Sequence, residues 1–280
     1  MVTFAKDEMV PQLKRIWKEC FGDTDAYINF YFDNRFRAED TLVWSEGKQP
    51  VSMLGMLPAS IWINGRKEPV YYIYGVGTLA GYRNRGIAGR LLQYADRELK
   101  RSSVLVPADR SLFPYYEKYG YRPIFSICEE RLVLINGLSV RKTVYPEKDF
   151  QVITADALEY KKIRDSRFCG DGYVEWGKTA VAYAIEECRL NGGEAYLILI
   201  EGRVEILLYC MNGRELYIKE TTLNGRNLNK VIRWLAEKTG YDTIITRTPA
   251  ENENCSGIRE FGMASGNVQL KSGYLNLVLD

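Results

Sequence analysis

Histidine is absent from the 280-residue sequence, so a general base here has to be a carboxylate, a water chain, a perturbed side chain or the C-terminal carboxylate. An excess of charge of either sign is also missing. Lys and Arg number 38 against 36 for Asp and Glu, which gives no electrostatic footprint for nucleic acid or for a membrane surface. No run reaches the roughly 18 apolar residues of a membrane span. Met1 to Glu8 has neither the basic end nor the apolar stretch of a signal peptide, so a cytoplasmic protein is expected. The cysteines at 20, 128, 169, 188, 210 and 255 form no C-x-x-C pair and no zinc-ligand spacing, so no metal site is expected. They read as reduced, small apolar residues. The length suits two domains, each large enough to bury a core.

The most informative stretch is Tyr82-Arg83-Asn84-Arg85-Gly86-Ile87-Ala88-Gly89-Arg90-Leu91-Leu92. Before it, Val70 to Thr78 is rich in Tyr, Val and Ile and contains Gly75 and Gly77, which suits a strand approached closely by a ligand. After it, Ile87, Leu91, Leu92, Ala95 and Leu99 recur at helical spacing. A glycine-rich turn therefore opens a helix, whose free N–H groups favour an anion. Gly86 and Gly89 would let the backbone approach it, and Arg83, Arg85 and Arg90 could bind phosphate oxygens. A Walker loop is excluded because Gly89 is followed by Arg90-Leu91 instead of Lys-Ser/Thr. A dinucleotide fingerprint is excluded because Gly75-Val76-Gly77 lies inside the strand and has Ala80 at the third glycine position.

Arg83-Asn84-Arg85-Gly86-Ile87-Ala88 resembles the R/Q-x-x-G-x-G/A motif of the GCN5-related N-acetyltransferases (the GNAT superfamily). A second match follows in order: Val104 to Ala108 reads as a strand, Leu112 to Lys118 as a short helix, and Tyr116-Glu117-Lys118-Tyr119-Gly120-Tyr121 resembles the family's Y-E-K-L-G-F segment. The resemblance implies acetyl-CoA as cosubstrate. Its pantetheine arm would pair with the backbone of Val76, Gly77 and Thr78. Its pyrophosphate would lie against Arg83, Asn84, Arg85, Gly86, Ile87, Ala88, Gly89 and Arg90. Tyr116 matches the tyrosine that protonates the departing thiolate, and a phenol with an ordinary pKa near 10 carries that proton at neutral pH. The base is not legible. Glu129 and Glu130 follow an apolar strand, and one of them would face inward. Asp23 and Asp25 lie in the turn after the first helix. Each reads more simply as a solvated charge or a helix cap.

Asp7 reads as the cap of a first helix with Val10, Leu13, Ile16, Trp17 and Cys20 on one face. A second helix spans about 26–36. Strands follow near 41–45, 51–57 and 59–63, before the Asn64-Gly65 hairpin turn. After about residue 145 the order begins again: helices over 154–165 and 176–191, strands over 195–201, 204–211 and 215–221, a helix around Leu228 to Leu235, and a strand over 242–246. Pro107 precedes Tyr119-Gly120-Tyr121 by the interval that separates Pro249 from Phe261-Gly262-Met263, and this register sets Ile258 opposite Tyr116. The second turn, Leu223 to Leu228, holds one glycine and one arginine. The expected fold is thus α/β (α+β): a catalytic GNAT domain over 1–145 and a degenerate GNAT-like domain over 146–280. Each would be a mixed, mostly antiparallel sheet flanked by helices, the last strand running from Val268 to Leu279.

This tandem resembles the first two domains of Eis-type acetyltransferases, whose third domain sends its terminal carboxylate into the active site. The sequence given stops at Asp280, so a role for the Asp280 carboxylate stays open. The expected activity is acetyl-CoA-dependent transfer to a primary amine, of a small molecule or a peptide, by direct attack on the thioester. The alternatives are a noncatalytic CoA-binding sensor or an acyltransferase with another acyl donor. Neither a nucleic acid nor a membrane partner is expected, while a homo-oligomer is possible.

Overall fold

The computed structural model describes residues 1–97, 100–134, 149–250, 255–266, 268 and 270–277. The first half runs β1 (Val2–Phe4), α1 (Val10–Phe21), α2 (Asp25–Asn34), β2 (Thr41–Glu46), β3 (Gln49–Ile63), β4 (Arg66–Thr78), α3 (Ile87–Arg97), β5 (Ser103–Leu105), α4 (Phe113–Glu117) and β6 (Arg122–Val133). The second half runs in a similar order, with a short strand between its first two helices and no helix described before its last strand: β7 (Phe150–Thr154), α5 (Ala157–Phe168), β8 (Val174–Glu175), α6 (Lys178–Leu190), β9 (Glu194–Ile200), β10 (Arg203–Asn212), β11 (Glu215–Thr221), α7 (Gly225–Thr239), β12 (Thr243–Pro249) and β13 (Ile258–Ala264).

Local chemistry accounts for the ends of α1 and α2. Helix α1 stops where Gly22 takes a left-handed φ of +73° and its N–H reaches the Lys18 carbonyl, and Thr24 then caps α2 by accepting the Tyr27 N–H. Asp7, expected as the cap of α1, lies instead in a short 3₁₀ turn, and the helix begins after Met9 with no side-chain cap. The two strands expected over 51–57 and 59–63 are one, β3, running through Pro58. Strand β2 pairs with β3 only as far as Gly55, so Pro58 lies where one side of β3 has become an edge, and a missing N–H is tolerated there.

The strands form one sheet in the order β1-β2-β3-β4-β5-β13-β6-β12-β11-β10-β9-β7, with β8 paired to β3. The named strand pairs are antiparallel except β4 with β5 and β11 with β12, one parallel pair in each half. The final strands of the two halves are exchanged. Strand β13 inserts between β5 and β6, and β6 pairs with β12 of the second half. Ser103 and Ser265 lock the exchange through a 2.9 Å hydroxyl contact, with Tyr121 hydrogen-bonded to Ser103 at 2.7 Å and Asp96 accepting from Ser265 at 3.1 Å. The last strand is therefore Ile258–Ala264. The expected strand over 268–279 is not formed: its described part makes only single bridges, Gly273 to Phe125 and Tyr274 to Tyr173, and residues 278–280 lie outside the described set.

The repeat holds for the order of elements and fails for the residue register. Gly120 sits in a turn before β6 with φ +85°, whereas Gly262 lies inside β13. Ile258 opens a strand and is 58% exposed, while Tyr116 is buried in a helix. One apolar cluster spans both halves, joining Trp17, Tyr31 and Tyr72 of the first to Trp176, Val181 and Tyr183 of the second. The expectation of six reduced cysteines also fails. Cys128 of β6 is disulfide-bonded to Cys255, 127 residues away, just before β13. No spacing rule reaches across that interval; the strand exchange brings the two together.

Candidate active site

Strand β4 shapes the site by leaving its ladders. In its pairing with β3, Thr78 faces Ser52 and Gly77 faces Met53, but the next pair is Tyr74 with Gly55. Gly75 and Val76 thus stand together opposite Leu54, a bulge that Gly75 accommodates with φ +59°. On the other side, β5 pairs with β4 only at Tyr71 and Tyr72, so the strands part beyond that point. Gly75 and Gly77 also allow α1 to approach: a Cβ at Gly75 would meet Trp17 at 3.1 Å, and one at Gly77 would meet Cys20 and Ile16 at 3.2 Å. Of the expected pantetheine partners, Gly77 gives its carbonyl to the Ser52 hydroxyl, and the Thr78 carbonyl accepts from Cys20 and from Arg83 Nε at 2.9 Å. Val76, out of the ladder, lines the cavity.

The turn after β4 leaves backbone N–H groups free at the start of α3. Asn84 and Gly86 take left-handed φ values of +61° and +71°. Arg90 N–H makes the bond to the Gly86 carbonyl, so the N–H groups of Ile87, Ala88 and Gly89 lie ahead of the α3 ladder. Arg83, Asn84, Arg85, Gly86 and Arg90 are exposed. Arg85 donates to the Gly81 carbonyl at 2.9 Å and lies over the Tyr82 ring, while Arg90 lies over Trp44. Gly89 has a role the sequence did not suggest: it is buried, and a Cβ there would fall 2.0 Å from the Tyr119 hydroxyl. The glycine admits the ring that follows Tyr116 onto the first turn of α3. The corresponding turn of the second half borders a smaller cavity of about 300 Å³, whose charged lining is Glu201, Arg203 and Glu205, the last paired with Arg167.

The parted ends of β4 and β5 open into a cavity of about 680 Å³ lined by both halves of the chain. Tyr116 lies on its wall beside Val106, Pro107 and Ala108, and burial pushes its phenol up to about 12. It is therefore protonated at any physiological pH. From the second half come Glu187 of α6 and Lys219 of β11, which form an ion pair at 3.6 Å with the carboxylate 3% exposed. Tyr27 donates to Glu187 at 2.6 Å and meets the Tyr74 hydroxyl at 3.1 Å. Burial first, then the neighbouring Glu187 charge, keeps Tyr74 neutral. Lys219 occupies the break in the β10–β11 register, the second-half equivalent of the Gly75–Val76 bulge.

The expected carboxylates separate. Glu129 stands opposite Arg247 across β6 and β12. It accepts from Arg247 Nε at 2.9 Å and from Arg259 Nε and Nη at 3.1 and 2.8 Å. Partial burial pushes its pKa up, but the Arg259 and Arg247 hydrogen bonds outweigh that and hold it below the usual carboxylate value. Glu130 points the other way and accepts from Ser256. Asp23 lines the cavity and accepts the Trp17 indole N–H at 2.7 Å, while Asp25 pairs with Lys18 in solvent. Asp280 lies outside the described residues. Glu187, Lys219 and Arg259 carried no motif that could have marked them. Among the described residues no helix is long and apolar enough to cross a membrane. The Cys128, Glu130 and Cys255 group has metal-ligating atoms close together, but the two sulfurs are bonded to each other.

A strand bulged and parted from its parallel neighbour, a free helix start after it and a buried phenol beside the opening thus lie together in the first half. Residues 2–124 match the family model of the acetyltransferase (GNAT) domain, and this match supports an acyltransferase. Solved structures share the fold over most of the chain. A GCN5-related N-acetyltransferase from Anabaena variabilis is 18% identical, with a TM-score of 0.71 over 94% of this chain and 72% of its own. A probable N-acyltransferase from Enterococcus faecalis is 13% identical, with a TM-score of 0.68 over 94% and 72%. Eis1 from Mycobacterium abscessus is 11% identical, with a TM-score of 0.66 over 95% and 73%. No curated protein matches the chain.

Proposed function

We propose that the protein transfers an acetyl group from acetyl-CoA to a primary amine, with one active site per chain, in the first half. The observation that carries this reading is the opening of β4 from β5 beside Tyr116. Val76 presents backbone outside the ladders to the pantetheine amides, while the N–H groups of Ile87 to Gly89, with Arg83, Arg85 and Arg90 around them, receive the pyrophosphate. The cosubstrate supplies an activated thioester. Tyr116 gives its phenolic proton to the sulfur as the C–S bond breaks. Glu187, backed by Tyr27, accepts the proton that the attacking ammonium must lose, in a cavity where direct attack needs no nucleophile from the chain. Residues 146–280 act as a degenerate partner that closes the acceptor side.

Tyr116→Phe tests the assignment. Loss of the general acid lowers kcat by about 10²–10³-fold, while CoA binding, followed by calorimetry, persists. A variant that turns over at the parent rate overturns the role of Tyr116. CoA binding without transfer to any amine overturns the enzymatic reading.

A further inference from the structure

The cavity wall formed by the end of the chain is basic and rigid, and the activity proposed above does not explain it. Arg247, Arg259 and Phe261 line the cavity, the two guanidinium carbons 5.5 and 5.2 Å from the Phe261 ring centroid. Glu129 holds both from behind, using Nε and one Nη of Arg259 and leaving the other Nη outside that pair. The Arg259 side chain remains 40% exposed. A guanidinium stacked on a ring and buttressed by a fixed carboxylate has already lost most of its rotamer freedom, so a second carboxylate meets an oriented fork at little further entropic cost. Strand β13 runs beside β5, with Met263 opposite Leu105. Phe261 and Arg259 therefore follow along β13 where Pro107 follows β5, toward the opening that holds Tyr116. The carboxylates Asp23 and Glu187 also line the cavity, Glu187 paired with Lys219. The acceptor space thus holds both carboxylates and a preset guanidinium fork.

We propose that the acceptor is a free amino acid, whose α-carboxylate is bound by Arg259 while an amine of the same molecule faces Glu187. This rests on the amine-transfer reading, since it assigns the far end of the same acceptor. A simple alkylamine leaves the fork unused, and an acceptor lacking an anionic group gains nothing from it.

The test separates the two readings by measuring binding apart from turnover. The full chain, with CoA present, is titrated calorimetrically with the common amino acids and with the corresponding amino acid amides, which keep the shape and remove the negative charge. At least one amino acid is expected to bind tenfold or more tightly than its amide. Arg259→Gln is expected to reduce that ratio to within twofold, and Arg259→Lys to restore part of it. Glu129 keeps Arg247 as a partner in these variants, and thermal melting confirms that each is folded. Amides that bind as well as every parent amino acid overturn the proposal, as does a ratio unchanged in Arg259→Gln. Binding of an amino acid without acetyl transfer upholds the carboxylate subsite and counts against the transferase reading. Transfer to amines with no carboxylate preference does the opposite.

Discussion

Replacing Arg164 by Met would leave Glu220 without its guanidinium where neither side chain reaches solvent, since both are 0% exposed. In the intact protein Arg164 Nε donates to Glu220 at 2.9 Å, and its Nη1 donates to the Tyr173 hydroxyl and to the Val174 carbonyl. Methionine fills much of the volume but removes the charge and these donors. Glu220 would keep two phenolic donors, Tyr160 and Tyr274, each at 3.1 Å, and two neutral hydrogen bonds do not offset a buried anion. Removing one partner of such a pair costs about 3–5 kcal/mol, a large fraction of the roughly 5–15 kcal/mol available to a folded domain. Arg164→Met/Glu220→Gln removes both charges, so its loss should fall short of the summed single losses by about 1.5 kcal/mol or more. Urea unfolding followed by tryptophan fluorescence reads all four corners of the cycle. A cost below about 1 kcal/mol for Arg164→Met, or strict additivity, would refute the reasoning from burial.

Glu175 reaches across from β8 to the first half. Burial raises its pKa, but hydrogen bonds from Lys67, Lys161 and Trp62 outweigh that and bring it from 4.5 to about 2. A depressed carboxylate stabilises the fold above its unfolded pKa and loses that contribution as pH falls through the folded one. Glu175→Gln should therefore be less stable than the parent at pH 7, with the gap closing between about pH 4.5 and 2. A gap that widens in acid would contradict the ion pairing. Thiol titration of the unfolded, unreduced protein should find four reactive groups, Cys20, Cys169, Cys188 and Cys210. Six would show that Cys128 and Cys255 are not joined.

What the sequence made legible was local. The helix-opening turn at Gly86, the Asn64-Gly65 hairpin and much of the order of elements follow from periodicity and turn chemistry within a dozen residues. The mismatch at Asp7 arose because a 3₁₀ turn took the place of a capped start. The strand exchange left no local trace, because β6 and β13 have the same apolar character whichever neighbour they pair with. The acceptor wall was hidden for the same reason. Glu187 and Lys219 pair from separate elements of the second half, Arg259 reaches Glu129 only after the two halves share a sheet, and Glu129 looked like a candidate base until Arg247 and Arg259 closed on it. Gly89 was read as an approach for an anion, but a tyrosine packs against it.

The exchange of β6 and β13 also sets the order in which the protein can be made. Ser103 cannot meet Ser265, 162 residues away, until β13 has left the ribosome. At roughly 5–20 residues per second, β5 and β6 wait on the order of ten seconds for the strand that separates them. During that time the nascent first half presents two unfilled strand edges and an acceptor side with no Arg259 or Glu187. The shared sheet is complete only once β13 has emerged, and the waiting edges are the places where a chaperone, or another copy, would engage first.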